Sequence, residues 1–188
     1  MNNKDFYQNL VSEYSDEIYR YAYRQCGNEA LAEDLVSETY TEAWKSLDNL
    51  RKRESARAWL FQIFRHRFYR WLDRDKKRPD RYSSNEALDV VIGGELDEEY
   101  AMRESLQSAL DLLEVRFREP FLMVFLQGHS CKEVAEQLDI PLGTVLSRIY
   151  RARQHLKLSL KDFAHIGLAK ADSVKGSTQK KTNVGGDL

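Results

Sequence analysis

Between residues 56 and 81 the chain reads ARAWLFQIFRHRFYRWLDRDKKRPDR, and no other stretch restricts its folding options as much. Placed at roughly 100° per residue, Leu60, Phe64, Phe68 and Trp71 fall on one face, with Phe61 and Leu72 at its border. Apolar surface of that width needs a core to cover it. The spacing therefore predicts a helix from about Ala56, packed on other helices and halted by Pro79.

Arg67, Arg70, Arg74, Lys77 and Arg78 share a neighbouring face, while Arg65, His66 and Tyr69 project from the remainder. Five cations together, with no acid among them, repel one another unless a counter-charge is supplied. A polyanion would supply it, and aromatics beside arginines suit single-stranded nucleic acid, because every base offers a ring face and the phosphates follow the cations. A solvated basic face is the alternative reading.

A chain of 188 residues, 42% apolar, has room for one ordinary domain or two small ones. Its net charge of −1 conceals a strong banding. Residues 1–50 carry 4 basic and 10 acidic groups, residues 51–82 carry 12 and 4, and residues 83–120 carry 3 and 10. A basic band thus lies between two acidic blocks, the charge pattern of a local nucleic-acid footprint. Cys26 and Cys131 stand far apart, without the paired spacing of a zinc site or a disulfide framework, and are expected to be buried or half-buried thiols. No run approaches a membrane span, and MNNKDFYQNL lacks an apolar signal core, so no membrane insertion and a cytoplasmic location are expected.

Upstream, Phe6, Leu10, Tyr14, Ile18, Tyr21 and Ala22 recur at threes and fours, predicting a helix over 5–25 that ends near Gly27. Asn28 can cap a second helix, apolar along Ala32, Leu35, Val36, Tyr40, Ala43, Trp44 and Leu47 and acidic on its other side. That acidic side is either a solvated face or a docking surface for a basic partner. Residues 48–55, DNLRKRES, break the period and predict a charged loop. Residues 80–99 predict an acidic linker with a short turn at 87–92, after which helices return from about Tyr100 and again through Phe121–Leu126, closed by Gly128.

Ser130-Cys131-Lys132-Glu133 is a capping box that should start a short helix through Leu138. Asp139-Ile140-Pro141 turns the chain, and a longer helix is expected over 142–160, buried along Val145, Ile149, Ala152, Leu156 and Leu160. Thr144, Ser147, Arg148, Arg151, Gln154 and His155 lie opposite. A short helix, a tight turn and a second helix with Ser and Arg on its outer face form a helix-turn-helix pattern suited to a major groove, the bland alternative being a plain helix pair. The tail, 161–188, is polar and Gly-ended from Leu168 onward and is expected to be disordered. Metal-ligand clusters, Gly-rich phosphate loops and nucleophile motifs are missing from the sequence and its four histidines are scattered, which speaks against an enzyme and against a cofactor.

Over roughly residues 5–160 the chain resembles a bacterial sigma factor of the extracytoplasmic-function (ECF) type. AEDLVSETYTEAW (32–44) is similar to region 2.2, AWLFQIFRHRFYRWLDRDKKR (58–78) to regions 2.3 and 2.4, and SCKEVAEQLDIPLGTVLSRIYRARQHLK (130–157) to the region 4 helix-turn-helix. The resemblance implies an all-α fold of two small helical domains, a region 2 domain over 1–79 and a region 4 domain over 100–160, joined by a flexible linker over 80–99. It implies core RNA polymerase as a partner, through the β′ clamp helices and the β flap, with Asp34, Glu38 and Trp44 on the β′ contact. It implies promoter DNA as a second partner. The −10 element would meet Leu50, Arg51 and Arg53 of the loop and Trp59, Arg65, His66, Arg67, Tyr69, Arg70 and Arg74 of the helix. The −35 element would meet Thr144, Ser147, Arg148, Arg151 and His155. An anti-sigma factor is a further implied partner. The chain departs from the family's usual residues at Ser37, His66, Arg70 and Leu146; His66 and Leu146 fall where the −10 and −35 sequences are read. A polymerase-independent helix-turn-helix regulator remains the competing reading.

Overall fold

A computed structural model describes residues 2–76 and 98–177, with side chains over 2–76 and 100–161. Every regular element among them is helical, and the chain divides into two compact units, 1–97 and 98–188. The expected linker, together with Lys77 and Arg78, lies outside the described residues but for its last two positions, which open a helix.

The first unit holds α1 (Asn3–Cys26), α2 (Glu29–Lys45) and α3 (Ala56–Asp75). Asn2 caps α1 by accepting from the Asp5 N–H, and Gly27 ends it at φ 67°, a left-handed turn that costs a glycine little. Asn28 then accepts from the Leu31 N–H and starts α2 at once. Residues 48–55 are not an open loop: Leu47–Asn49 and Arg53–Ser55 form two short 3-10 turns, anchored by the buried Leu47.

α2 packs against both α1 and α3. The core between them takes Ile18, Tyr21 and Ala22 from α1, Leu35, Thr39 and Ala43 from α2, and Leu60, Phe64 and Phe68 from α3. Tyr21 meets Phe61 and Phe64 edge-on at 5.3 and 5.6 Å, and Phe64 and Phe68 lie near-parallel at 6.2 Å. Each such ring contributes about 1.5–3 kcal/mol through burial alone. The predicted apolar face of the central helix is thus the core face, with one correction: Trp71 and Leu72 are half-buried at its end. Arg57, beside the core, reaches back to ion-pair with Glu17 of α1.

The second unit holds α4 (Glu98–Asp111), α5 (Val115–Phe125), α6 (Cys131–Leu138) and α7 (Leu142–Ser177). Met123, Val134, Val145 and Ile149 form its inner cluster, flanked by Cys131, Ala135, Leu138 and Ile140. α5 starts earlier than its apolar run suggested and carries Pro120 within it; Phe125 and Leu126, at the end of that run, are exposed, as are Met102 and Leu112 of the preceding segment. The buried Arg118 donates to the carbonyls of Asp111 and Leu113, both at 2.9 Å, and so ties the α4–α5 connection.

The last helix runs on past Leu160 to Ser177, into residues expected to form the tail. No proline interrupts 161–177, and its Leu, Ala and Lys residues favour helix. Residues 178–188 lie outside the described residues.

Candidate nucleic-acid interface

Six side chains of α3 outside the core build one wall of a shallow groove in the first unit. Trp59, Gln62, Ile63, His66, Arg67 and Arg70 line it from α3, and Glu42 and Ser46 close it from the end of α2. Positions 59, 62, 63, 66 and 70 recur at threes and fours, so one helical stripe supplies an indole, an imidazole and a guanidinium together. Of the expected −10 residues the groove unites Trp59, His66, Arg67 and Arg70. The remainder stand elsewhere: Arg65 is half-buried on α3, Tyr69 is 38% exposed and meets Phe68 at 5.9 Å, and Arg74 folds back to donate to the Arg70 carbonyl. In the connecting turns Leu50 is half-buried and Arg51 exposed, while the Arg53 guanidinium lies 4.5 Å from the centre of the Phe6 ring.

The cationic face of α3 is partly neutralised from within. Arg67 ion-pairs with Glu42 and approaches Glu38 at 3.8 Å, so α2 provides acids that the basic face of α3 lacks. Sequence reading placed Glu42 on the acidic side of α2 and missed its pairing with Arg67, because a helix pattern reveals its own faces and not which neighbour will oppose them.

On the outer side of α2, Asp34 is exposed, Glu38 is half-buried and Trp44 is half-exposed. Tyr7 of α1 supports Trp44 from beside it and donates its hydroxyl proton to the Tyr40 carbonyl. Burial pushes the Tyr7 phenol above its ordinary range and the Tyr40 phenol further still, so both remain neutral. The Tyr7 contact was also missed, for the same reason as the Glu42 pairing.

In the second unit the capping box forms as expected. The Glu133 N–H donates to Ser130 Oγ at 3.2 Å, and Glu133 Oε2 accepts from the Ser130 N–H at 2.8 Å. The Ser130 N–H, and beside it the Ser130 hydroxyl, donate to the Glu133 carboxyl and hold it below its usual range. Asp139 makes the turn at φ 52°, in the left-handed region that Asp tolerates better than most residues. Pro141 then accepts from the Thr144 and Val145 N–H groups and opens α7.

On α7 Val145, Ile149, Ala152 and Leu156 are buried, which leaves Ser147, Arg151, Gln154 and His155 exposed and Thr144 and Arg148 half-exposed. Ser147 donates its hydroxyl proton to the Thr144 carbonyl at 3.0 Å, so it faces outward chiefly as an acceptor. Leu146 and Tyr150 are exposed as well, at 52% and 64%. The structure therefore brings all five expected −35 residues to one side of one helix. Among the described residues no His, Cys, Asp or Glu cluster could hold a metal ion, and no helix is long and apolar enough to cross a membrane.

Residues 10–78 match the family model described as sigma-70 region 2, and residues 103–156 match that described as sigma-70, region 4. Among similar proteins, the ECF RNA polymerase sigma factor SigW of Bacillus subtilis is 29% identical, across 85% of this chain and 91% of the relative. The RNA polymerase sigma factor YlaC of the same organism is 30% identical, across 85% and 95%. Among solved structures, the sigma factor RpoE in complex with the anti-sigma factor NepR from Bartonella quintana aligns with a TM-score of 0.66 at 28% identity, covering 84% of this chain and 98% of that one.

Proposed function

The chain belongs to the sigma-70 family, among its ECF RNA polymerase sigma factors, and from that premise we propose how its two units divide the work of starting transcription. It binds core RNA polymerase and directs it to promoters, with the first unit on the polymerase and the −10 element and the second on the −35 element. Asp34, Glu38 and Trp44 present α2 to the polymerase, where the two carboxylates suit a basic partner surface.

The groove on α3 takes the melted strand. Unstacking bases costs a few kcal/mol per step, and Trp59 and Tyr69 offset part of this by stacking, while Arg70, Arg74 and Arg65 hold phosphates. Thr144, Ser147, Arg148, Arg151 and His155 approach the −35 duplex along a major groove, where an arginine can pair bidentately with guanine. This is binding and positioning rather than covalent chemistry, performed in the cytoplasm where polymerase and chromosome meet. An anti-sigma factor, as in the RpoE complex, is the fitting regulator.

The observation that carries the proposal is the presence in one chain of an aromatic and cationic groove and a helix-turn-helix with its outer face exposed. A duplex-binding regulator has no use for the first. Run-off transcription with reconstituted holoenzyme on fragmented genomic DNA tests it. New, discrete start sites are expected; their complete absence, with sequence-specific duplex binding by the free chain, would move the assignment to a polymerase-independent regulator.

A further inference from the structure

We propose that Glu42 is an internal counter-ion that masks Arg67 from nucleic acid in the free protein, and that the contact opens when the strand binds. This rests on the reading of α3 as the strand-binding helix and deepens it.

Three observations converge. Arg67 and Glu42 both line the groove that holds Trp59, His66 and Arg70. The Arg67 guanidinium ion-pairs with Glu42, with Glu38 at 3.8 Å as a second acid. The pair is only half-covered: the Arg67 side chain is 23% exposed and those of Glu42 and Glu38 are 39% and 44% exposed. A fully buried pair could not exchange partners without stranding a charge, whereas water can solvate a released Glu42. A phosphate arriving in the groove competes for the same guanidinium, with equal charge and the same bidentate geometry.

Two consequences follow. In the free protein the groove carries a carboxylate that repels a polyanion, which lowers affinity for strands met without polymerase. Glu38 also belongs to the face of α2 offered to the polymerase. A basic group there that engages Glu38 draws away the second acid and leaves Arg67 held by Glu42 alone, so docking and strand capture favour each other, and by linkage each strengthens the other equally.

The test uses the full chain and a single-stranded oligodeoxythymidine, titrated by calorimetry across a range of salt. Glu42→Gln is expected to bind about two- to fivefold more tightly, the fold-change corresponding to a half-exposed ion pair, and its log–log salt dependence should steepen by roughly 0.7, one added phosphate contact. Arg67→Gln in the same chain should abolish the gain. Glu33→Gln, an equal change of net charge on the exposed side of α2, should not reproduce it. Glu42→Ala provides a second variant, and thermal melts check that each remains folded. An unchanged Glu42→Gln affinity, or a gain that survives Arg67→Gln or is matched by Glu33→Gln, overturns the mask while leaving the strand-binding helix standing. If neither the wild-type chain nor any variant binds the oligonucleotide even at low salt, the strand-binding reading itself fails and takes the mask with it.

Discussion

The ring of Tyr7 stands edge-on to the indole of Trp44, with centroids 4.9 Å apart and planes at 66°. Tyr7 is held there by the 2.9 Å hydrogen bond from its hydroxyl to the Tyr40 carbonyl, so a residue of α1 fixes a half-exposed side chain of α2. Tyr7→Phe keeps the ring contact and is expected to cost about 0.5–1.5 kcal/mol of stability. Tyr7→Ala also removes the support of Trp44 and should weaken holoenzyme formation beyond Tyr7→Phe. Urea denaturation and competition for core polymerase separate the two; equal polymerase affinity for wild type and Tyr7→Ala would show that Trp44 needs no support.

Phe64 is 1% exposed and touches rings from two helices. Phe64→Ala should destabilise the first unit by about 3–5 kcal/mol, the transfer loss plus the cavity left behind. A loss below about 1 kcal/mol in denaturant unfolding would mean that the three helices do not close around it as described.

Ser130→Ala removes the cap of the eight-residue α6 and should cost about 1 kcal/mol. Glu133 adds a pH signature. Its carboxyl is held below the ordinary range in the folded chain, so its contribution is fully present above the unfolded carboxylate value of roughly 4.3 and disappears as pH falls through the depressed folded value. Glu133→Gln should therefore lose less stability than wild type on acidification through that window. Parallel pH profiles for the two proteins would count against the box as a source of stability.

Arg148→Ala and Arg151→Ala should each weaken holoenzyme binding to its promoters by about 1–3 kcal/mol if the arginines contact −35 base edges. Competition against a promoter with a scrambled −35 element is the measurement. An equal loss on both DNAs assigns the arginines to phosphates instead.

The features legible in the sequence are those decided within one helix. The Ser130–Glu133 box closes over three residues, and the Leu60, Phe64, Phe68 face follows from spacing alone, so both could be read without a structure. What escaped depends on neighbours distant in sequence. Glu42 lies 25 residues from Arg67, and nothing in either helix says that they will meet. Arg118 is buried because the carbonyls of Asp111 and Leu113 take its protons, and neither acceptor is visible in a helical pattern. Trp71 sits at the correct angle but near the end of α3, where its surroundings cover only part of it.

All three tryptophans of the chain, Trp44, Trp59 and Trp71, belong to the first unit. Trp44 sits on the side of α2 proposed to meet polymerase, and Trp59 lines the groove proposed to take the strand. Intrinsic indole fluorescence is therefore a label already installed where those two events occur, and none of it originates in the second unit. Quenching by a short unpaired oligonucleotide, with no response to −35 duplex, would separate the two halves of promoter engagement without attaching a dye.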